Sequence, residues 1–305
     1  MPRERVFCRE RRTYCGSEYM TVDLFQYSQS AQEAARAPRR RRERVSAPKQ
    51  KNLNDKRARR YFMQLLNANF GAGDYHVSLT YSQDRLPETM EQAKRDARNY
   101  LRRVDRLRKK RGLPPLKYIL VTEGTERKST GKIVRLHHHI VVNGGLSRDE
   151  MEMLWTEQRI NWKRAAEDAD YRAGIQKIGF VNCDNIQPGE NGLEALAKYL
   201  AKDPAGKKRW SCSQNLDRPI AVKNDHKYSV RKLENVSRSG EIYDRDFWEE
   251  HYPGWTLAGA ADIAVEAEPP DEWNNWQIFA KLRRLPEATS GKKKGPPGAG
   301  GRRTR

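Results

Sequence analysis

Residues 133–142, IVRLHHHIVV, set three consecutive histidines inside a run of aliphatic residues. The run reads as a strand, and successive strand side chains point to opposite faces. Leu136, Ile140 and Val142 then share a face with His138, while His137 and His139 share the other. The aliphatic face has to be covered, so His138 is expected to be structural and turned toward the elements that cover it. His137 and His139 lie on the opposite face, two residues apart on a rigid element, where both imidazoles can reach one cation. Two adjacent histidines could not. A purification tag would sit at a terminus without aliphatic flanks, so that reading is set aside.

The neighbouring segments say what kind of sheet holds this strand. NLNDKRARRYFMQLLNANF (52–70) gives a helix, with Asn54 or Asp55 as its cap, Tyr61, Leu65 and Leu66 at helical spacing and FGAG to end it. DYHVSLTYS (74–82) alternates Val77, Leu79 and Tyr81 with Ser78 and Thr80, the period of a strand. Pro87 opens a long helix striped by Ala93, Ala97, Tyr100, Leu101, Val104 and Leu107, and Gly112 with the double proline ends it. LKYILVTEG is a second strand, joined to the histidine strand by the polar turn GTERKSTGK, so the two should pair antiparallel. A helix over 148–158 and a polar helical stretch to Arg172 follow. KIGFVNCDNI is then a fourth strand and NGLEALAKYLAKD an amphipathic helix. This order predicts an α+β fold, a central antiparallel sheet of RNA-recognition-like type with helices packed on one face and the other face free for function.

On YILVTE, Glu123 alternates with Ile119 and Val121, and the hairpin brings it toward the histidine end of the next strand. Glu123 is therefore the candidate third ligand, with Glu126 in the turn as its rival. A His/His/Glu set tolerates zinc, manganese or magnesium. In EALAKYLAKD, Tyr199 and Lys202 are three residues apart and share a helical face. A cation site and a tyrosine–lysine helix in a basic protein describe metal-assisted attack of a phenol oxygen on a phosphodiester, with the tyrosine becoming covalently linked.

Charge supplies the substrate class. The 305 residues carry a formal net charge of +20, with 33% charged and only 36% hydrophobic residues. A surplus of this size points to a polyanion, above all nucleic acid, because neutralising phosphates releases counterions. Residues 1–50, culminating in RAPRRRRERV, read as a flexible basic arm; 51–235 hold the compact domain; 236–305 form an extension with aromatic segments and the basic tail GKKKGPPGAGGRRTR. Arg39, Arg40, Arg41 and Arg42 of the arm, with Lys207, Lys208 and Arg209, are the candidate DNA contacts. No apolar segment long enough for a membrane span is present, and the N-terminal residues carry charges without an apolar signal region, so a cytoplasmic protein is expected. Cys8, Cys15, Cys183 and Cys212 form no CxxC pair and are expected to be free thiols.

The succession HVSLTY, VRLHHHIVV and AKYLAKD resembles the three motifs of HUH-type rolling-circle replication initiators, most closely the ORF2/gene-2-like replication-associated proteins of phages and plasmids. The likeness extends over roughly residues 50–220. It implies His137 and His139 as metal ligands, Glu123 as the acidic third ligand, Tyr199 as nucleophile and Lys202 as its helper, with magnesium or manganese as cofactor. It implies nicking of one strand of origin DNA, a 5′-phosphotyrosine intermediate and a free 3′-hydroxyl as primer. Position 203 is Asp203, so the resemblance is to a one-tyrosine enzyme. No GxxxxGK[ST] occurs, so unwinding would fall to a separate helicase, that of the host. A conjugative relaxase or a single-tyrosine transposase would share this chemistry. A non-catalytic nucleic-acid-binding protein would instead need exposed aromatics on its strands.

Overall fold

A computed structural model of the chain describes residues 5–30, 33, 48–126, 133–201, 210–270 and 276–286. The candidate DNA contacts Arg39, Arg40, Arg41, Arg42, Lys207, Lys208 and Arg209, together with Lys202, lie outside the described residues. The elements run β1 (Val6–Cys15), β2 (Tyr19–Ser28), α1 (Pro48–Asn69), β3 (Tyr75–Thr80), α2 (Met90–Lys110), β4 (Tyr118–Glu126), β5 (Ile133–Val142), α3 (Arg148–Met153), α4 (Trp162–Glu167), α5 (Ala169–Ala173) and β6 (Val181–Asn185). They continue with α6 (Glu194–Leu200), β7 (Ser211–Cys212), β8 (Ile220–Asn224), α7 (Val230–Ser239), α8 (Arg245–His251), β9 (Trp255–Leu257), α9 (Ala261–Ala264), β10 (Val265–Glu268) and β11 (Gln277–Arg284).

The molecule is an α+β protein with two antiparallel sheets. One has the order β6-β3-β5-β4-β7 and places the histidine strand β5 at its centre. In its register Glu123, His137 and Thr80 lie side by side across β4, β5 and β3. A register shift between Glu123 and Thr125 interrupts the β4–β5 ladder just beyond this row. Such an irregularity re-aims the side chains next to it.

The aliphatic face of this sheet behaves as the alternation requires. Val77, Leu79, Leu120, Ile140 and Val142 pack with Ala97, Tyr100, Leu101 and Val104 of α2 and with Met151 of α3. Thr89 caps α2, its side chain accepting from the Gln92 amide. The opposite face is not left wholly open. Ile119, Val121 and Val141 on it join Phe62, Leu65 and Leu66 of α1 and Ala197 and Leu200 of α6 in a second core. Helices therefore cover both faces, and the polar face stays accessible around His137 and along the edge strand β6. The expected helix over 148–158 is shorter, a single capped turn ending at Met153.

Two expectations are overturned. Helix α1 begins at Pro48, ahead of Asn54 and Asp55. More consequentially, residues 6–28 are no flexible arm but a paired hairpin, β1 with β2, in a second sheet of order β10-β11-β2-β1-β8 with β9 on β11. The charges that suggest disorder are accommodated in the sheet by partners: Arg9 pairs with Asp225 at 2.6 Å and Arg11 with Asp23 at 3.0 Å. The even-numbered face of β2, Met20, Val22 and Leu24, packs on Leu233, Trp248 and Leu257 in a third core. This sheet draws strands from both sides of the expected 51–235 domain. Among the described residues no helix is long and apolar enough to cross a membrane. The four cysteines are free thiols, three of them buried.

Candidate metal and tyrosine site

His137, His139 and Glu123 each offer a ligand atom, and the three atoms lie within 4.8 Å of one another. His137 Nε2 is 3.2 Å from Glu123 Oε2 across the β4–β5 ladder. Two imidazoles and a carboxylate at this spacing form a donor set that fits a divalent cation. Glu126, the rival acid, pairs with Ile133, well along the strand from His137.

His139 is held from both ends. Its Nδ1 lies 3.2 Å from His76 Nε2 and 3.1 Å from Ser78 Oγ, both on β3. The rings of His76 and His139 stack with centroids 5.2 Å apart. With Nδ1 so engaged, Nε2 is the nitrogen left for a cation, and Tyr199 Oη lies 3.4 Å from it. Partners of this kind on the far nitrogen fix the orientation of a ligating imidazole. Burial, reinforced by repulsion from His76 and His137, pushes the His139 pKa down to about 4. Its ring is therefore neutral near pH 7, the form that ligates. Burial also lowers the His76 pKa, and the Asp184 carboxylate opposes that shift.

His138 points the other way and is fully buried. Tyr81 Oη and Thr122 Oγ1 each lie 2.9 Å from one of its ring nitrogens, Nε2 and Nδ1. A neutral imidazole has one donor and one acceptor nitrogen, and two hydroxyls satisfy both. Burial, then the neighbouring His137 and His139, lowers its pKa to about 3.

Tyr199 sits on α6 with 53% of its surface exposed. The helix is fixed beneath it. Leu193, Ala197 and Leu200 enter the core shared with α1. Asn67 Oδ1 accepts from the Leu193 amide at 3.0 Å, and Gly192 just before α6 holds a φ of +60°, a conformation that favours glycine. Glu194, buried, binds Lys281 of β11 with both carboxylate oxygens at 2.8 Å. His76 and Lys281 escape sequence reading because each acts across a strand pairing or sheet contact that no local pattern encodes. His76 alone leaves a trace, its period-two spacing from Ser78.

Strands and helices thus assemble a protein class: an α+β fold with a His/His/Glu group able to hold a cation and an exposed tyrosine beside one of the histidines. Residues 74–204 match the family model of the replication-associated protein ORF2/G2P. The match starts at the edge of β3 and ends just past α6, and so spans every residue of the site. It is the same family whose motifs the sequence resembles. The family's description as replication-associated supports a role in replication initiation in general. No curated protein and no solved structure matches the chain.

Proposed function

We propose that the protein nicks and rejoins one strand of origin DNA through a 5′-phosphotyrosine on Tyr199, initiating rolling-circle replication of a phage, plasmid or integrated element. The observation that carries this reading is the 3.4 Å approach of Tyr199 Oη to Nε2 of His139, itself a member of the Glu123/His137/His139 group. Nucleophile and cation-binding atoms thereby share one neighbourhood, as metal-assisted attack on a phosphodiester requires.

His137, His139 and Glu123 would hold magnesium or manganese. Bound there, the cation supplies positive charge to the scissile phosphate and to the charge that builds in the transition state. His76 and Ser78 hold His139 so that its Nε2 lone pair faces the site. Tyr199 Oη gives up its proton to solvent and forms a bond to phosphorus, the bond from phosphorus to O3′ breaks, and the departing oxygen takes up a proton from solvent to become the 3′-hydroxyl. Lys202 is the proposed helper, offering positive charge to the phosphate. Rejoining reverses the exchange, the 3′-hydroxyl attacking the phosphotyrosine. Unwinding is assigned to a separate helicase. A relaxase or transposase would use the same atoms on a different DNA.

The test is a denaturation-resistant protein–DNA adduct on single-stranded DNA carrying the element's origin with manganese. Wild type should form it, and Tyr199→Phe and chelator-treated protein should not. His137→Ala and His139→Ala should each lower its rate by at least about a hundredfold, the scale of losing a group that stabilises transition-state charge. An adduct on Tyr199→Phe would overturn the nucleophile.

A further inference from the structure

We infer that Phe180 is a stacking platform for a nucleobase of the cleaved strand, next to the scissile phosphate. The inference rests on the nicking reading above for its substrate and goes beyond it in naming how the strand is held.

Phe180 is 82% exposed, the most exposed large apolar side chain among the described residues. It precedes β6 and continues the β3–β6 register opposite Thr80, whose amide donates to the Phe180 carbonyl at 2.9 Å. Thr80 pairs in turn with His137, and His137 with Glu123. Phe180 therefore stands in the same cross-strand row as two members of the cation group. Two strand spacings separate it from His137, about 10 Å.

Its backbone is locked although its ring is free. Thr80 Oγ1 also donates to the Phe180 carbonyl, at 3.1 Å, and two residues earlier the Ser82 amide donates to the Ile178 carbonyl at 3.0 Å. Between them, a Cβ on Gly179 would lie 2.2 Å from the Thr80 carbonyl oxygen and 2.6 Å from Tyr81 Cα, so glycine is required for the segment to lie this close to β3. The next residues on the edge strand alternate as a half-buried interface should. Cys183 is buried, whereas Asn182 and Asp184 point to the site side opposite Ser78 and His76.

A single exposed phenylalanine is ordinary on a protein surface. This one is held rigidly, in register with the cation donors, and the residue after the next is a side-chain amide able to bond a base edge. Every nucleobase has a face that stacks on an aromatic ring, so such a platform grips single strands of any sequence. Phosphate lies between successive bases, so a base stacked here sets the adjoining phosphodiester toward His137. The ring contributes through the base and not through charge, which separates it from the arginines.

The test uses the full chain carrying Tyr199→Phe, with oligo-dT and with an abasic oligonucleotide of equal length as probes. Phe180→Ala should bind oligo-dT about tenfold more weakly, with an unchanged slope of affinity against salt, and should bind the abasic strand as before. Phe180→Trp should retain tight binding, and Phe180→Leu should behave as Ala; matched melting temperatures exclude misfolding. Equal binding of oligo-dT by Phe180→Ala, an equal loss on the abasic strand, or full binding by Phe180→Leu would each overturn the platform. So would a finding that Phe180 changes only self-association in sedimentation. Binding here needs no cleavage. A Phe180-dependent grip without any adduct from wild type would sink the nicking reading alone, and an adduct with Phe180-independent binding would sink the platform alone.

Discussion

Burial of a neutral imidazole between two hydroxyls makes His138 a proton-sensitive part of the fold. Its pKa is held at about 3, and that of His139 at about 4, against an ordinary value of 6.5. Both groups bind protons more readily when the chain unfolds. Their contribution is complete above about pH 6.5 and shrinks as pH falls toward the folded values. In chelator, each should remove about 2 kcal/mol of stability between pH 7.5 and pH 5, read from urea midpoints. His138→Leu should lose its share of that slope. It also strands the Tyr81 and Thr122 hydroxyls, so its stability at pH 7.5 should be lower by about 1–3 kcal/mol. Adduct formation should survive at wild-type rate once the protein is folded, because His138 faces away from the cation group. A loss equal to that of His137→Ala would refute the division of the triplet. That division was legible from alternation alone. The engagement of His139 Nδ1 by His76 was not, since it depends on which residue of β3 faces β5.

At the scale of elements, strand order and helix faces follow from period and turn signals, which act over a few residues. Helix α6 shows where such signals stop. Its apolar residues predict burial, but its anchor is the Lys281 ammonium on β11, buried against both Glu194 oxygens. The partners are far apart in sequence, and neither a lysine in an aliphatic strand nor a glutamate at a helix start announces the other. Removing one member of a buried pair leaves a charge with too few partners. Lys281→Met should therefore cost about 3 kcal/mol in urea denaturation, softened by Lys198, which also reaches Glu194 at 2.8 Å. The double change Glu194→Met with Lys281→Met should recover most of that loss, since an apolar pair of similar volume needs no desolvated charge. A double variant as unstable as the single one would show that the loss does not come from a stranded Glu194 charge.

Strands from both sides of the site region in sequence meet in one sheet. β1 and β2 from the N-terminal end and β9, β10 and β11 from the C-terminal end build one sheet, whose β11 holds the tyrosine helix. Composition hides this, because the arginines that mark residues 1–50 as solvated occur both in a strand with acidic partners, such as Arg9, and in the run Arg39–Arg42 outside the described residues. Deleting residues 1–50 is therefore the wrong probe of electrostatic DNA binding. It removes two strands, along with buried Cys15, Tyr19, Met20, Val22 and Leu24, and should abolish cooperative unfolding in circular dichroism. The charges are better neutralised in place. Replacing Arg39, Arg40, Arg41 and Arg42 with glutamine should leave the melting temperature unchanged while weakening single-strand binding. Each phosphate contact on a single strand contributes about −0.7 to the slope of log affinity against log salt, so the slope should flatten by up to about 3. An unchanged slope would assign those arginines to solvation and pass the proposed DNA contacts to other basic residues of the chain.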